Sequence, residues 1–244
     1  MSSLERKSQV AATGNRINAL MNRLQERSGK PLETKKQSNL IGLSDATGSM
    51  DAIWQTTNQQ IKEMVKRLSD IGSFQLKWVA YRDYCDGEQI VVASEWMRQP
   101  NPLLSFIDSI SCFGGGDEPE AVEKALEYAA NDKSATRIVL IGDAPPHLER
   151  DYVVQARRLA QLRRPVFSFV VGNSPETVRT FAEISKITGG KSTLLTSAQD
   201  LIDLVVLTVA DDIGGSDSVE QYLKKYAPQI SDGSRKYARL LLNS

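Results

Sequence analysis

The sequence predicts an α/β protein built on a doubly wound, mostly parallel six-stranded sheet with one antiparallel edge strand. Three observations point there. Short apolar runs alternate with helical patterns through the middle of the chain, which implies parallel crossovers and a sheet covered on both faces. One pair of runs is joined by too few residues to hold a crossover helix. Amphipathic segments flank this core at both ends.

Residues 1–37 read as an amphipathic helical arm and linker. From Ile17 through Leu20 and Met21 to Leu24 the apolar spacing is 3, 1 and 3, the stripe of a helix, and Ser28-Gly29-Lys30-Pro31 stops it. The stripe has to be buried on its own domain, the favoured alternative, or on a partner. Residues 38–214 form the main domain. Its expected strands are Leu40–Leu43, Leu76–Tyr81, Ile90–Ala93, Ile138–Ile141, Val166–Val171 and Ser192–Leu195. Its expected helices are Ile53–Leu68, Pro119–Ala130, Tyr152–Leu162, Glu176–Ile187 and Ala198–Asp211. Only Arg82–Gln89 joins the second and third strands, so these should form an antiparallel hairpin with one strand at the sheet edge. Residues 215–244 form a C-terminal helical tail, divided by Pro228 and Gly233, that docks either on its own domain or on a partner.

Composition removes several function classes. Lys plus Arg equals Asp plus Glu at 30 each, so no net field draws the chain to nucleic acid or to an anionic membrane. Met1 to Gln9 is polar and charged, and no secretory leader is expected. The longest apolar runs, such as Ile138–Ile141 and Leu204–Leu207, fall far short of the ~20 residues of a membrane span. Two cysteines, Cys85 and Cys112, make no disulfide framework and read as reduced thiols, although both lie beside loops of interest and a redox link stays open. A cytoplasmic protein is expected, of a compact, cysteine-poor kind that suits a bacterial one.

In doubly wound sheets, ligands bind beyond the carboxyl ends of the strands, at the point where strand order reverses. After the first strand comes Asp45-Ala46-Thr47-Gly48-Ser49, with three oxygen-bearing side chains at alternate positions. After the second comes Arg82-Asp83-Tyr84. Ahead of the next helix lies Gly114-Gly115-Gly116-Asp117-Glu118-Pro119-Glu120, and after the fourth strand comes Gly142-Asp143-Ala144-Pro145-Pro146. Each loop brings a carboxylate to the same edge. Carboxylates crowded together raise a pKa or demand a cation. Carboxylates with hydroxyls are hard oxygen ligands, suited to Mg²⁺, Mn²⁺ or Ca²⁺ rather than zinc. Asp45 and Thr47 could instead cap the following helix, but a cap needs one such residue and not three in alternation. Asp117 could equally cap a helix starting at Pro119. Asp83 could pair with Arg82 or a distant Lys, and His147 reads as a loop residue at the rim.

Asp45-x-Thr47-x-Ser49 resembles the D-x-S/T-x-S signature of the metal-ion-dependent adhesion site in von Willebrand factor A (VWA) domains. The Ile138–Asp143 strand resembles the later strand that completes that site. The resemblance covers about residues 39–212 and implies a Rossmann-like VWA fold. It implies that Thr47 and Ser49 coordinate a cation directly, with Asp45 and Asp143 acting directly or through water. The third loop lacks the threonine of many VWA domains and is similar to the D-x-P-E segment of integrin β-subunit domains. That similarity makes Glu120 a candidate ligand and Asp83 with Asp117 candidates for a second cation. The wording around Asp45 and Tyr81-Arg82-Asp83 also resembles intracellular VWA domains associated with alpha-kinases.

The function so implied is non-enzymatic: a metal-dependent protein-binding module that takes an acidic residue of a partner protein at an open coordination position. Two alternatives stand beside it. One is a metal-dependent hydrolase or phosphotransferase, although no P-loop lysine or G-x-S-x-G elbow occurs. The other is a scaffold with a structural or vacant site, binding partners or copies of itself through the arm or the tail.

Overall fold

The first strand, β1 (Ser38–Asp45), runs buried along nearly its whole length and lies at the centre of the sheet. The computed structural model describes residues 36–114 and 119–243, so almost all of the predicted arm, and Asp117, lie outside the described residues. Beyond β1 come α1 (Asp51–Ile71), β2 (Phe74–Tyr81), β3 (Val91–Ala93), α2 (Pro100–Ser109), α3 (Val122–Asn131) and β4 (Arg137–Gly142). The chain continues through α4 (Tyr152–Gln161), β5 (Val166–Val171), α5 (Pro175–Thr188), β6 (Ser192–Leu195), α6 (Ala198–Tyr226) and α7 (Asp232–Leu242). The sheet order is β3-β2-β1-β4-β5-β6, parallel throughout except for β3, which pairs antiparallel with β2 at the edge. This matches the predicted architecture.

Side chains alternate across the pleat, and each face of the sheet has its own apolar layer. Leu40, Leu76, Trp78, Val139, Ile141, Phe167 and Phe169 pack with residues of α1, α2, α6 and α7. Ile41, Leu43, Val79, Tyr81, Ile138, Leu140 and Val170 pack with α3, α4 and α5. Gly42 in β1 has no side chain because Trp78 lies across it; a Cβ there would stand 2.7 Å from the indole.

Three departures from the expected elements have physical causes. Helix α2 was not anticipated: Pro100 and Pro102 look like breakers, yet Pro is well tolerated in a first helical turn, where its N–H is not needed. Helix α3 starts at Val122 rather than Pro119, because Glu120 is drawn into a bridge with Pro146 and its N–H donates to Pro145 O at 2.9 Å. Helix α6 continues past Asp211 to Tyr226, with its path broken at Gly214 and at Gly215, where φ is 56°. The tail docks on its own domain. Tyr222, Tyr226, Ile230, Tyr237 and Leu241 are all buried in the same apolar layer as α1.

The chain leaves β1 toward β2 on one side and returns to β4 on the other. The connections leaving the carboxyl ends of β1 and β4 therefore run to opposite sides, toward β2 and β5, and this switch point in strand order is where a ligand is expected.

Candidate metal centre

Asp45 is the last residue of β1 and is fully buried. Its Oδ1 accepts from Thr47 N at 2.8 Å and from Thr47 Oγ1 at 2.7 Å, so the turn is folded around one carboxylate oxygen. The Thr47 and Ser49 hydroxyls stand 3.3 Å apart. Neither Asp45 nor Thr47 caps the next helix: the short turn Gly48–Met50 and α1 both start without a side-chain cap. Behind the turn, Trp54 Nε1 donates to Asp45 O at 2.5 Å and Ala46 N donates to Tyr81 O at 2.8 Å.

Asp143 follows β4, Glu120 lies in its bridge beside Pro146, and Asp83 follows β2. The other oxygen of Asp45 (Oδ2), Glu120 Oε2 and Asp143 Oδ1 are all buried with no hydrogen-bond partner among the described residues. Unsatisfied buried carboxylate oxygens are costly and uncommon. Burial pushes Asp45 up to about 7, helped by the neighbouring Asp143 and opposed by the Thr47 hydrogen bonds. Burial likewise pushes Glu120 up to about 9, with Asp45, Asp83, Asp86 and Asp143 adding their repulsion. Four loops thus crowd acidic groups into one partly dry crevice.

The structure brings Asp45, Thr47, Ser49, Glu120 and Asp143 to this crevice. Asp83 reaches the same edge but is engaged: its Oδ1 lies 2.6 Å from His147 Nε2, a hydrogen-bonded contact that becomes an ion pair when His147 is protonated and was not anticipated from sequence. That pair holds the Asp83 carboxyl below its ordinary value, against the effect of burial. Asp117 lies outside the described residues. Further neighbours also escaped the sequence reading. Tyr84 donates to Glu123, a buried carboxylate whose Oε2 has no partner. The Tyr84 ring lies edge-on to His147 and under Arg150. Asp86 sits against Gly114, whose φ of 80° and missing Cβ let the chain pass that carboxylate. A run of acidic residues after β2 was visible in sequence; which of them face the crevice depends on how the loops fold back.

Among the described residues, no three His, Cys, Asp or Glu side chains converge to hold a metal by themselves. A cation here would need the Thr47 and Ser49 hydroxyls to complete its oxygen shell. The orphaned oxygens and the all-oxygen donor set fit a hard divalent ion.

The fold is that of a von Willebrand factor A domain. A von Willebrand factor type A protein from Catenulispora acidiphila superposes with a TM-score of 0.54 at 15% identity, over 74% of this chain and 43% of that one. Proximal thread matrix protein 1 from the mussel byssus gives 0.53 at 18% identity, over 71% and 47%. The VWA domain of SpRpn10 gives 0.51 at 13% identity, over 68% of this chain and 94% of that domain. The chain therefore spans less than half the length of the first two proteins and nearly the whole of the SpRpn10 VWA domain. No protein-family model and no curated protein sequence matches the chain. In VWA terms, the crevice lies at the carboxyl edge of the sheet, between β1 and β4. No helix among the described residues is long and apolar enough to cross a membrane.

Proposed function

We propose that this VWA domain is a protein-binding module whose crevice takes a divalent cation, Mg²⁺ or Mn²⁺, and through it an acidic side chain of a partner protein. The observation that carries this reading is the set of orphaned, buried oxygens on Asp45, Glu120 and Asp143, gathered beside the Thr47 and Ser49 hydroxyls. Asp45 folds the turn and keeps one oxygen unsatisfied; Thr47 and Ser49 supply neutral donors; Glu120 and Asp143 supply charge from the facing loops. Ser49 is exposed and Asp45 buried, so the donor set runs from the interior to the surface, where a partner would reach it. When bound, a divalent cation supplies concentrated positive charge with a coordination position left for a partner carboxylate.

The test uses the metal alone and then a simple carboxylate probe. Mn²⁺ should bind the full chain in calorimetry and raise its melting temperature, and Asp45→Ala should lose both effects. A short glutamate-bearing peptide should bind only with Mn²⁺ present, and its glutamine counterpart should not. Equal Mn²⁺ binding by wild type and Asp45→Ala would sink the reading. Mn²⁺-dependent turnover of phosphate esters, lost in Asp45→Ala, would replace it with an enzymatic one.

A further inference from the structure

Arg82 follows β2 and is 1% exposed, yet among the described residues it makes no ion pair with a carboxylate. A buried guanidinium beside so many acids would ordinarily pair with one of them. Its two terminal nitrogens go elsewhere, and its Nε has no partner among the described residues. One terminal nitrogen donates to Gln89 O at 3.0 Å and the other to Ser111 O at 2.7 Å, while its face stacks on the Phe113 ring at 4.4 Å. Its backbone is equally engaged: Arg82 N donates to Ile90 O at 3.0 Å, and Arg82 O accepts from Ala121 N at 3.0 Å. Phe113 N in turn donates to Ala46 O at 3.2 Å, inside the Asp45 turn. One residue thus ties together the loop holding Asp83 and Asp86, the loop ending at Gly114, the start of α3 beside Glu120, and the Asp45 turn.

We propose that Arg82 is the positioning residue of the crevice: its planar fork fixes the loops through backbone carbonyls and the Phe113 ring, leaving Asp45 Oδ2, Glu120 Oε2 and Asp143 Oδ1 without a partner. The inference rests on the reading of the crevice as a cation site. The arrangement opposes two effects. A positive charge near a cation site weakens cation binding by Coulomb repulsion. A fork that orients the ligand loops strengthens it, and loss of such outer contacts costs ~10–100-fold in metal affinity. Carbonyl dipoles and the ring offset the guanidinium charge where it sits, so positioning should dominate.

The two effects predict opposite outcomes for Arg82→Met. If Arg82 positions, Arg82→Met and Arg82→Lys both weaken Mn²⁺ binding by ~10-fold or more, because lysine keeps the charge but has no fork to span two carbonyls. If only the charge matters, Arg82→Met tightens binding and Arg82→Lys leaves it unchanged, and the proposal is overturned. Hydrogen exchange supplies a metal-independent reading. In chelator, the Phe113 amide should exchange faster in Arg82→Lys than in wild type while the β4 amides stay protected. An unchanged Phe113 amide overturns the proposal, whatever the metal data show. Should wild type bind no Mn²⁺, the cation reading falls on its own, and the exchange result still decides whether Arg82 holds the loops. Should Arg82→Met fail to fold, Arg82→Lys carries both measurements.

Discussion

Asp45 depends on close packing as much as on its own hydrogen bonds. Gly142, at the end of β4, is the residue that lets the two central strands close on each other there. A Cβ at Gly142 would collide with the Tyr81 hydroxyl and stand 3.3 Å from both Asp45 Cβ and the Phe181 ring. Tyr81 has little room to yield, since its hydroxyl donates to Ile141 O at 3.2 Å and its ring is fully buried. Gly142→Ala should therefore cost ~1–3 kcal/mol by overpacking, read as a lower denaturation midpoint with an unchanged slope. It should weaken Mn²⁺ binding as well, because Asp45 is one of the atoms displaced; an unchanged midpoint would mean the strands have slack there. The same residues show where sequence reading reaches its limit. Asp45, Thr47 and Ser49 declare themselves because alternation within five residues is a local pattern. Glu120 and Asp143 come to the same edge through the order of strands and loops, and their ligand roles come from the family resemblance. The Asp83–His147 pair spans 64 positions and the Arg82–Ser111 contact spans 29, so each depends on loop closure that no local pattern encodes.

At the scale of elements, the strands were legible and one helical contact was not. Apolar runs such as Ile138–Ile141 mark themselves because a buried parallel strand is apolar on both faces. The docked tail also carries a polar clasp. Arg67 of α1, 3% exposed, donates to Asp203 at 2.8 Å, to Tyr222 Oη at 3.0 Å and to Gln229 at 2.6 Å, and stacks over the Tyr226 ring at 4.6 Å. Its partners lie well over a hundred residues downstream, beyond any helical period, which is why sequence left the tail with two equal destinations. Asp203→Ala would leave the Arg67 guanidinium with Glu63, whose side chain is 37% exposed, as its remaining anion. Breaking one side of a buried pair costs ~3–5 kcal/mol, and the loss should appear as a lower melting temperature. Because Arg67 also holds Tyr222 and Gln229, protease cleavage near Gly214-Gly215 should become faster. Wild-type cleavage rates in Asp203→Ala would show that apolar packing of Tyr222, Tyr226 and Tyr237 holds the tail unaided.

Taken as a whole, the molecule carries no net charge, but its acids fall into two populations with opposite pH behaviour. Asp83, Asp200 and Asp212 are held below their ordinary values by hydrogen bonds or ion pairs, despite burial. Each adds stability above its unfolded value, and that stability is lost as pH falls through the lower folded value. Asp45 and Glu120 run the other way, raised by burial from 3.8 to about 7 and from 4.5 to about 9. Between the unfolded and folded values, the unfolded chain has released these protons while the folded chain retains them. Fewer bound protons in the unfolded state give a negative slope of stability against pH, at most ~1.4 kcal/mol per unit for each group. In chelator, then, the protein should lose stability as pH rises from about 5 to about 9, where many proteins show a plateau. A bound divalent cation needs these carboxylates ionised, so saturating Mn²⁺ should remove the loss and bind more tightly as pH rises, with release of protons. Urea denaturation at pH 5, 7 and 8.5, with chelator or with Mn²⁺, separates the outcomes. Stability in chelator that climbs with pH over this range would mean that Asp45 and Glu120 ionise freely, and that the crevice is wetter than its orphaned oxygens imply.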